Sequence, residues 1–600
     1  MNNLTILHAD TREFIYPIDR HKIYIKLQST VGKACKIDVL YWNRFHENDK
    51  KQYTLEWLGN DSQNDFFACE LSFLDEVKYL RYYFIVEYDN EHFFYSVDGL
   101  STQTPIKYFE YLCTNENDVF TVPEWSNEII SYQIFVDRYS NGDLTNDHLE
   151  TVKWNERPSR TNYFGGDLQG IINKFDYMLY LGINMIYLTP IFQSCSNHKY
   201  DTIDYFKIDS TFGNNDDLKE LVKKCHENNI KIILDGVFNH IGYYSEQFQD
   251  VINKGKKSEF WDWFYINGES VDTESINYEC VGYYKWMPKL KYSTKSVRKF
   301  ILKIGEYWIN ETGIDGWRLD VADEVDFTFW QEFRSKIKYI NKNSLILGET
   351  WKDGRDLIRG DQMDTIMNYL FRDAVVDFFA KKSISAEIFN QKIQKMLYNY
   401  PKIVHNNLYN LLDSHDTPRF ITECNENWDR MKLAVVFQMT FPGMPAIYYG
   451  DEIGMSGNND PDCRKPMNWE SINNEIFDFY KKLIDLRRNC KALKLGSFRS
   501  LISDRDIYGY IRKYKDEIIF VIINNSENDS SISTLLSGID IQNSTFESIF
   551  GDEKSQQKII CEKSTQGIPD IKKVDSFKFE MKVPANHFEI LKLKKGVINS

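Results

Sequence analysis

From about residue 125 to 495, short apolar runs alternate with longer segments of helical period, and this pattern constrains the fold more than any other. Eight runs read as strands: residues 132–136, 184–188, 231–234, 316–319, 345–347, 365–367, 408–412 and 446–449. Between most of them lie helical patterns, as in 217–226, where Leu218, Leu221, Val222 and Cys225 recur at i, i+3, i+4 and i+7. Similar patterns cover 295–310, 328–341, 428–441 and 474–488. Strands apolar along their whole length belong to a parallel sheet covered by helices. Eight of them, each followed by a helix, predict an α/β fold, the (β/α)8 TIM barrel.

One connection is too long for that scheme. Residues 241–292 carry Trp261, Trp263, Phe264, Tyr283, Tyr284 and Trp286 and predict a small excursion domain after the third strand. A chain of 600 residues also exceeds one hydrophobic core. Residues 1–124 hold short Tyr-, Phe-, Val- and Ile-rich segments (22–28, 36–42, 52–58, 79–88) separated by Asn/Asp turns, which predict a β-sandwich. Residues 496–600 alternate in the same way (507–514, 517–524, 576–583, 587–593) and predict a C-terminal antiparallel β-domain. The barrel then comprises 125–240 and 293–495.

A net charge of −15 argues against a nucleic-acid partner. No apolar run reaches the ~18 residues of a membrane span, and the N-terminus lacks a signal-peptide pattern. Ten scattered cysteines without metal-ligand spacing fit reduced thiols. The expectation is a soluble cytoplasmic protein with no membrane or nucleic-acid partner.

Chemistry collects where the strands end, which in such a barrel is the catalytic mouth. The third strand runs out into Asp235 and on to His240, the fourth into Arg318 and Asp320, the fifth into Glu349, and the seventh into His415 and Asp416. Alternation along the fourth strand points Arg318 and Asp320 the same way, and a guanidinium beside Asp320 would keep it ionised, as a nucleophile requires. Glu349, with apolar 345–347 behind it and Trp351 near, would have a raised pKa and suit a general acid. One ionised and one protonated carboxyl flanking a bond serve glycoside hydrolysis. Asp416 remains to stabilise positive charge, and His240 and His415 to donate to sugar hydroxyls. Each feature alone would be an ordinary ion pair or a satisfied core histidine; their convergence is what carries the reading.

These segments resemble the α-amylase family (glycoside hydrolase family 13). Its motifs recur in order as Asp235-Gly-Val-Phe-Asn-His240, Gly316-Trp-Arg-Leu-Asp320, Gly348-Glu-Thr-Trp351 and Leu412-Asp-Ser-His-Asp416, with flanking stretches 182–190 and 443–454. The resemblance implies a retaining enzyme with Asp320 as nucleophile, Glu349 as acid/base and Asp416 as transition-state stabiliser, its two working carboxyls about 5–5.5 Å apart. Met287-Pro-Lys-Leu290, the run 320–325 and the long N-terminal β-domain resemble the neopullulanase, cyclomaltodextrinase and maltogenic amylase subgroup. Lys291 and Asp323 stand where many members have Asn, and Asp323 leaves the balance of hydrolysis and transglycosylation open.

Carried over residue by residue, the resemblance makes Tyr200 a stacking platform for the sugar and Asp460 and Arg464 partners of its hydroxyls. Asn141, Asp143, Asn146, Asp147, Gly165 and Asp167 offer hard oxygen ligands; an Asx-rich turn would look similar, and the resemblance favours a structural Ca²⁺ there. It also implies a homodimer in which one N-terminal domain covers the partner's active site, favouring cyclodextrin and other small α-glucan substrates. Alternatives are a transglycosylase or α-1,6-acting enzyme on the same fold, and a non-catalytic carbohydrate-binding relative that would have lost a carboxylate.

Overall fold

Eight parallel strands form one sheet in the computed structural model: β1 (Ser131–Ile134), β2 (Met185–Leu188), β3 (Lys231–Gly236), β4 (Gly316–Leu319), β5 (Leu345–Gly348), β6 (Thr365–Ile366), β7 (Tyr409–Leu411) and β8 (Met444–Tyr448). The described residues are 4–537, 544–551, 560–563 and 576–595. Strands β1 to β6 pair in chain order, β7 pairs with β8, and β8 pairs with β1. Because β6 has only two residues, the ring closes on β7 through a single parallel bridge, Met367 to Tyr409. Alternate side chains fill the barrel (Met185, Tyr187, Ile233, Leu345, Leu347, Tyr409). The others (Ile186, Leu188, Ile232, Leu234, Trp317, Ile346) face the helices. That two-sided burial explains the continuous apolar runs. A Cβ at Gly316 would stand 2.2 Å from the Leu345 carbonyl oxygen, so β4 can approach β5 only with glycine there.

The outer layer includes helices Asn215–Glu227, Lys295–Thr312, Phe327–Ile340, Trp428–Thr440 and Asn474–Asn489. Asn214 caps the first, accepting from the Asp217 amide, while the Asp217 side chain accepts from the Asn214 amide in return. The expectation of a helix after every strand fails once. Residues 349–364 between β5 and β6 form turns, interrupted by Gly354 and Gly360. That loop is anchored across the domain boundary instead, where Arg355 pairs with Asp353 at 2.6 Å and with Glu13 at 3.0 Å.

Residues 241–292 hold a helix, Glu246–Lys254, and isolated bridges such as His240 to Lys289 and Phe264 to Leu290. Phe248, Trp263, Phe264 and Leu290 extend the barrel core into this excursion. In the N-terminal domain two antiparallel sheets enclose Ile25, Leu27, Val39, Phe67, Tyr82 and Phe84. The single strand expected over 52–58 is two, Lys51–Thr54 in one sheet and Glu56–Asn60 in the other. Buried Leu55 marks the crossing between sheets. The C-terminal domain is antiparallel, with Ile507–Tyr514 and Glu517–Asn524 at its centre and a second small sheet built on Ser576–Val583. No helix among the described residues is long and apolar enough to cross a membrane.

Candidate active site

Arg318 is the hub of the barrel mouth. Strand alternation aims it inward, while Trp317 packs outward against Phe192 and Phe238. Its Nη1 donates to both oxygens of Asp235 at 2.9 and 3.0 Å and to Asp320 Oδ1 at 2.8 Å. Its Nη2 lies 2.7 Å from Glu349 Oε2, an ion pair out of line for a hydrogen bond. One fully buried guanidinium thus gathers carboxyls from the ends of β3, β4 and β5. Glu349 accepts from the Val321 amide at 2.9 Å and from Trp351 Nε1 at 3.1 Å. Val321 holds φ +44, a costly conformation for a β-branched residue, directly after Asp320. Its amide bond to Glu349 fits a strain retained to join β4 to β5 at the site.

The electrostatics differ from the expectation in two respects. Arg318 was expected to keep Asp320 ionised as an isolated partner would. It is shared among three carboxyls instead. Burial, with Glu349 and Asp235 close by, pushes Asp320 well above the usual carboxylate range despite Arg318. Burial likewise pushes Asp235 up to about 6. Three carboxyls thus share the single positive charge of Arg318. Glu349 also sits less apolarly than expected, since both of its oxygens meet donors.

A second group forms opposite. His415 receives a hydrogen bond from Gln133 Nε2 to Nδ1 at 2.8 Å, which leaves the Nε2 proton facing Tyr200 Oη at 2.7 Å and Asp416 Oδ2 at 3.0 Å. Burial holds His415 neutral, well below its ordinary value. Tyr200 donates to Asp235 at 3.0 Å and stacks on His415 with centroids 5.4 Å apart, so it links the two groups. Arg464 reaches Asp416 Oδ1 at 3.0 Å and Asp460 Oδ1 at 3.4 Å. His240 is buried, pushed down to about 4, bonded through Nε2 to the Tyr200 carbonyl at 3.0 Å and unpartnered at Nδ1. The structure therefore brings Asp320, Glu349, Asp416, Tyr200, Arg318, His415, Asp460 and Arg464 into one contiguous network, with His240 behind Tyr200. Sequence reasoning gave no role to Asp235, Tyr187 (2.6 Å from Asp235) or Gln133. A glutamine inside an otherwise apolar strand was the available signal for Gln133.

Asn141, Asp143, Asn146, Asp147, Gly165 and Asp167 also assemble. Asn141 donates to Asp147 at 2.8 Å and Asn146 to Asp167 at 3.0 Å. Gly165 holds φ +78, and a Cβ there would stand 2.2 Å from Asp147 Oδ1. Asn141 Oδ1 and Asn146 Oδ1 are buried without donors. Two orphaned amide oxygens beside an Asp147 carboxylate fit a hard cation such as Ca²⁺. Asp167 is occupied differently, accepting from the amides of Gly142, Asp143 and Gly170 and capping helix Leu168–Asn173.

Fold and site together define a (β/α)8 glycosidase with its carboxyls at the C-terminal mouth. Residues 133–495 match the family model for the alpha amylase catalytic domain, and residues 1–115 that for the alpha amylase N-terminal ig-like domain. The chain belongs to the α-amylase family. It is 44% identical over 544 residues to a cyclomaltodextrinase of Thermoanaerobacter pseudethanolicus, spanning 88% of this chain and 93% of that one. It is 41% identical over 532 residues to neopullulanase 2 of Thermoactinomyces vulgaris, spanning 87% and 90%. A solved cyclomaltodextrinase structure matches with a TM-score of 0.88 at 33% identity, covering 98% of this chain and 99% of its own.

Proposed function

We propose that the chain is a retaining α-glucan hydrolase that cleaves α-1,4 bonds of cyclomaltodextrins, pullulan and maltooligosaccharides. The observation that carries this reading is the Arg318 hub, which holds Asp320 and Glu349 through the two ends of one guanidinium. Two carboxyls held on one guanidinium suit a pair acting on one bond with no water between, as retention requires. Asp320 attacks the anomeric carbon while Glu349 gives its proton to the departing glycosidic oxygen. Water then attacks the glycosyl–Asp320 ester and Glu349 takes a proton back. Asp416 faces the positive charge that develops on the ring. Asp320 must attack as a carboxylate and Glu349 must donate as an acid, which divides the two roles between neighbouring carboxyls. Tyr200, His240, His415, Asp460 and Arg464 supply the ring platform and hydroxyl partners.

The 141–147 and 165–167 loops hold a structural Ca²⁺, supported by the two orphaned amide oxygens beside Asp147. The chain works as a homodimer in the cytoplasm. Phe45, Trp57, Leu74 and Ile106 are exposed on the N-terminal domain and supply apolar surface that a partner can cover. A time course of sugars released from β-cyclodextrin, pullulan and soluble starch tests the substrate range. Fast ring opening, maltose from linear products, panose from pullulan and slow attack on starch are expected. Preference for starch would contradict an active site covered by the partner's N-terminal domain, and a dominant yield of longer transfer products would favour a transglycosylase.

A further inference from the structure

Arg419 is a fully buried cation that the chemistry above does not use. It sits at the end of the β7 loop that carries His415 and Asp416, and it reaches into the loop after β8. Its Nη1 donates to the Tyr449 carbonyl at 2.6 Å and to Asp451 Oδ1 at 2.9 Å, and its Nε to the Cys463 carbonyl at 3.1 Å. Its amide donates to the Gly457 carbonyl at 2.9 Å. The guanidinium lies 4.0 Å from the Tyr448 ring centroid and 4.9 Å from that of Tyr449. Arg419 makes no hydrogen bond to Asp416 among the described residues; it joins the loops below the site.

The same two loops meet again at the site, where Arg464 donates to the His415 carbonyl at 2.7 Å and pairs with Asp416 at 3.0 Å. Beneath them, Asp413 and Asp451 are both buried. Asp413 Oδ2 accepts from the Phe420 amide at 2.6 Å, while its Oδ1 is buried without a donor. Burial and Asp413 together push Asp451 well above the usual carboxylate range, against Arg419.

We propose that Arg419 is a positioning residue that locks the β7 and β8 loops so that Asp416 and Arg464 meet in one geometry. The proposal rests on the reading of Asp416 as part of the active site. An arginine suits the task because one planar group meets acceptors from three points of a second loop, and lysine offers a single nitrogen.

A double-mutant cycle on the purified full-length chain tests this, with turnover measured on 4-nitrophenyl α-maltoside and β-cyclodextrin. Arg419→Lys should lower kcat roughly tenfold or more in the wild-type background but less than about threefold in Asp416→Asn, because the lost interaction acts through Asp416. A purely structural role would lower kcat equally in both backgrounds, and that result, or no loss in either, overturns the proposal. Should Arg419→Lys fail to fold by near-UV circular dichroism, Asp451→Ala, which removes the acceptor that Arg419 Nη1 holds in the β8 loop, decides on the same criterion when run through the same cycle. Absence of turnover by the wild type on both substrates would sink the α-glucan reading itself, a result separate from any outcome of the cycle.

Discussion

At the scale of single residues, the reaction depends on one arginine serving three carboxyls. Asp320→Asn and Glu349→Gln should each lower kcat roughly 10⁴-fold or more while near-UV circular dichroism stays that of the wild type. Wild-type turnover in either purified variant would refute the assignment. The shared hub also sets a pH dependence. Asp320 must lose its proton to attack, and burial raises it well above the ordinary aspartate value of about 3.9, with Asp235 beside it at about 6. On the acidic side kcat/KM therefore falls as pH drops and Asp320 takes up a proton. The acidic limb should stand well above pH ~4. A limb at or below about 4 would mean that Arg318 holds Asp320 as an isolated partner would. The residues of this hub were legible in the sequence, since Arg318, Asp320 and Glu349 end apolar strands. Its charge state was not, because Asp235 lies 83 positions from Arg318 in the chain and only the β3–β4 register sets them together.

At the scale of elements, strand and helix patterns could be read because burial on both faces leaves a nearly unbroken apolar run. The departures fall where local pattern is weakest. Leu55 looks like mid-strand apolar sequence, yet it marks a change of sheet, which depends on partners far away. The 349–364 loop holds its place by Arg355 and Glu13, a contact across domains that no local period records. The 141–147 loop is similar, for its acceptors converge only once 165–167 folds beside it. If Ca²⁺ binds there, adding it after chelation should raise the first unfolding midpoint by roughly 2–4 °C in differential scanning calorimetry. Gly165→Ala should abolish that rise, because φ +78 and the approach of Asp147 leave no room for a Cβ. A midpoint indifferent to Ca²⁺ in the wild type would reject the site.

At the scale of the whole molecule, an N-terminal β-domain packs against the barrel and leaves large apolar side chains exposed, Phe45 at 65% and Trp57 at 57%. Light scattering coupled to size-exclusion chromatography at micromolar concentration should report twice the 71.2 kDa chain mass. A monomer would remove the covered cleft and with it the expected discrimination against starch. Oligomeric state was beyond local sequence pattern, because an exposed aromatic residue reads the same as a core one until the fold is known. The central claim, that Asp320 and Glu349 act as a retaining pair, is tested most directly by proton NMR of the first sugars freed from β-cyclodextrin, before mutarotation. Release of the α-anomer is the predicted result; initial release of the β-anomer would contradict the account, because it requires a water between the two carboxyls.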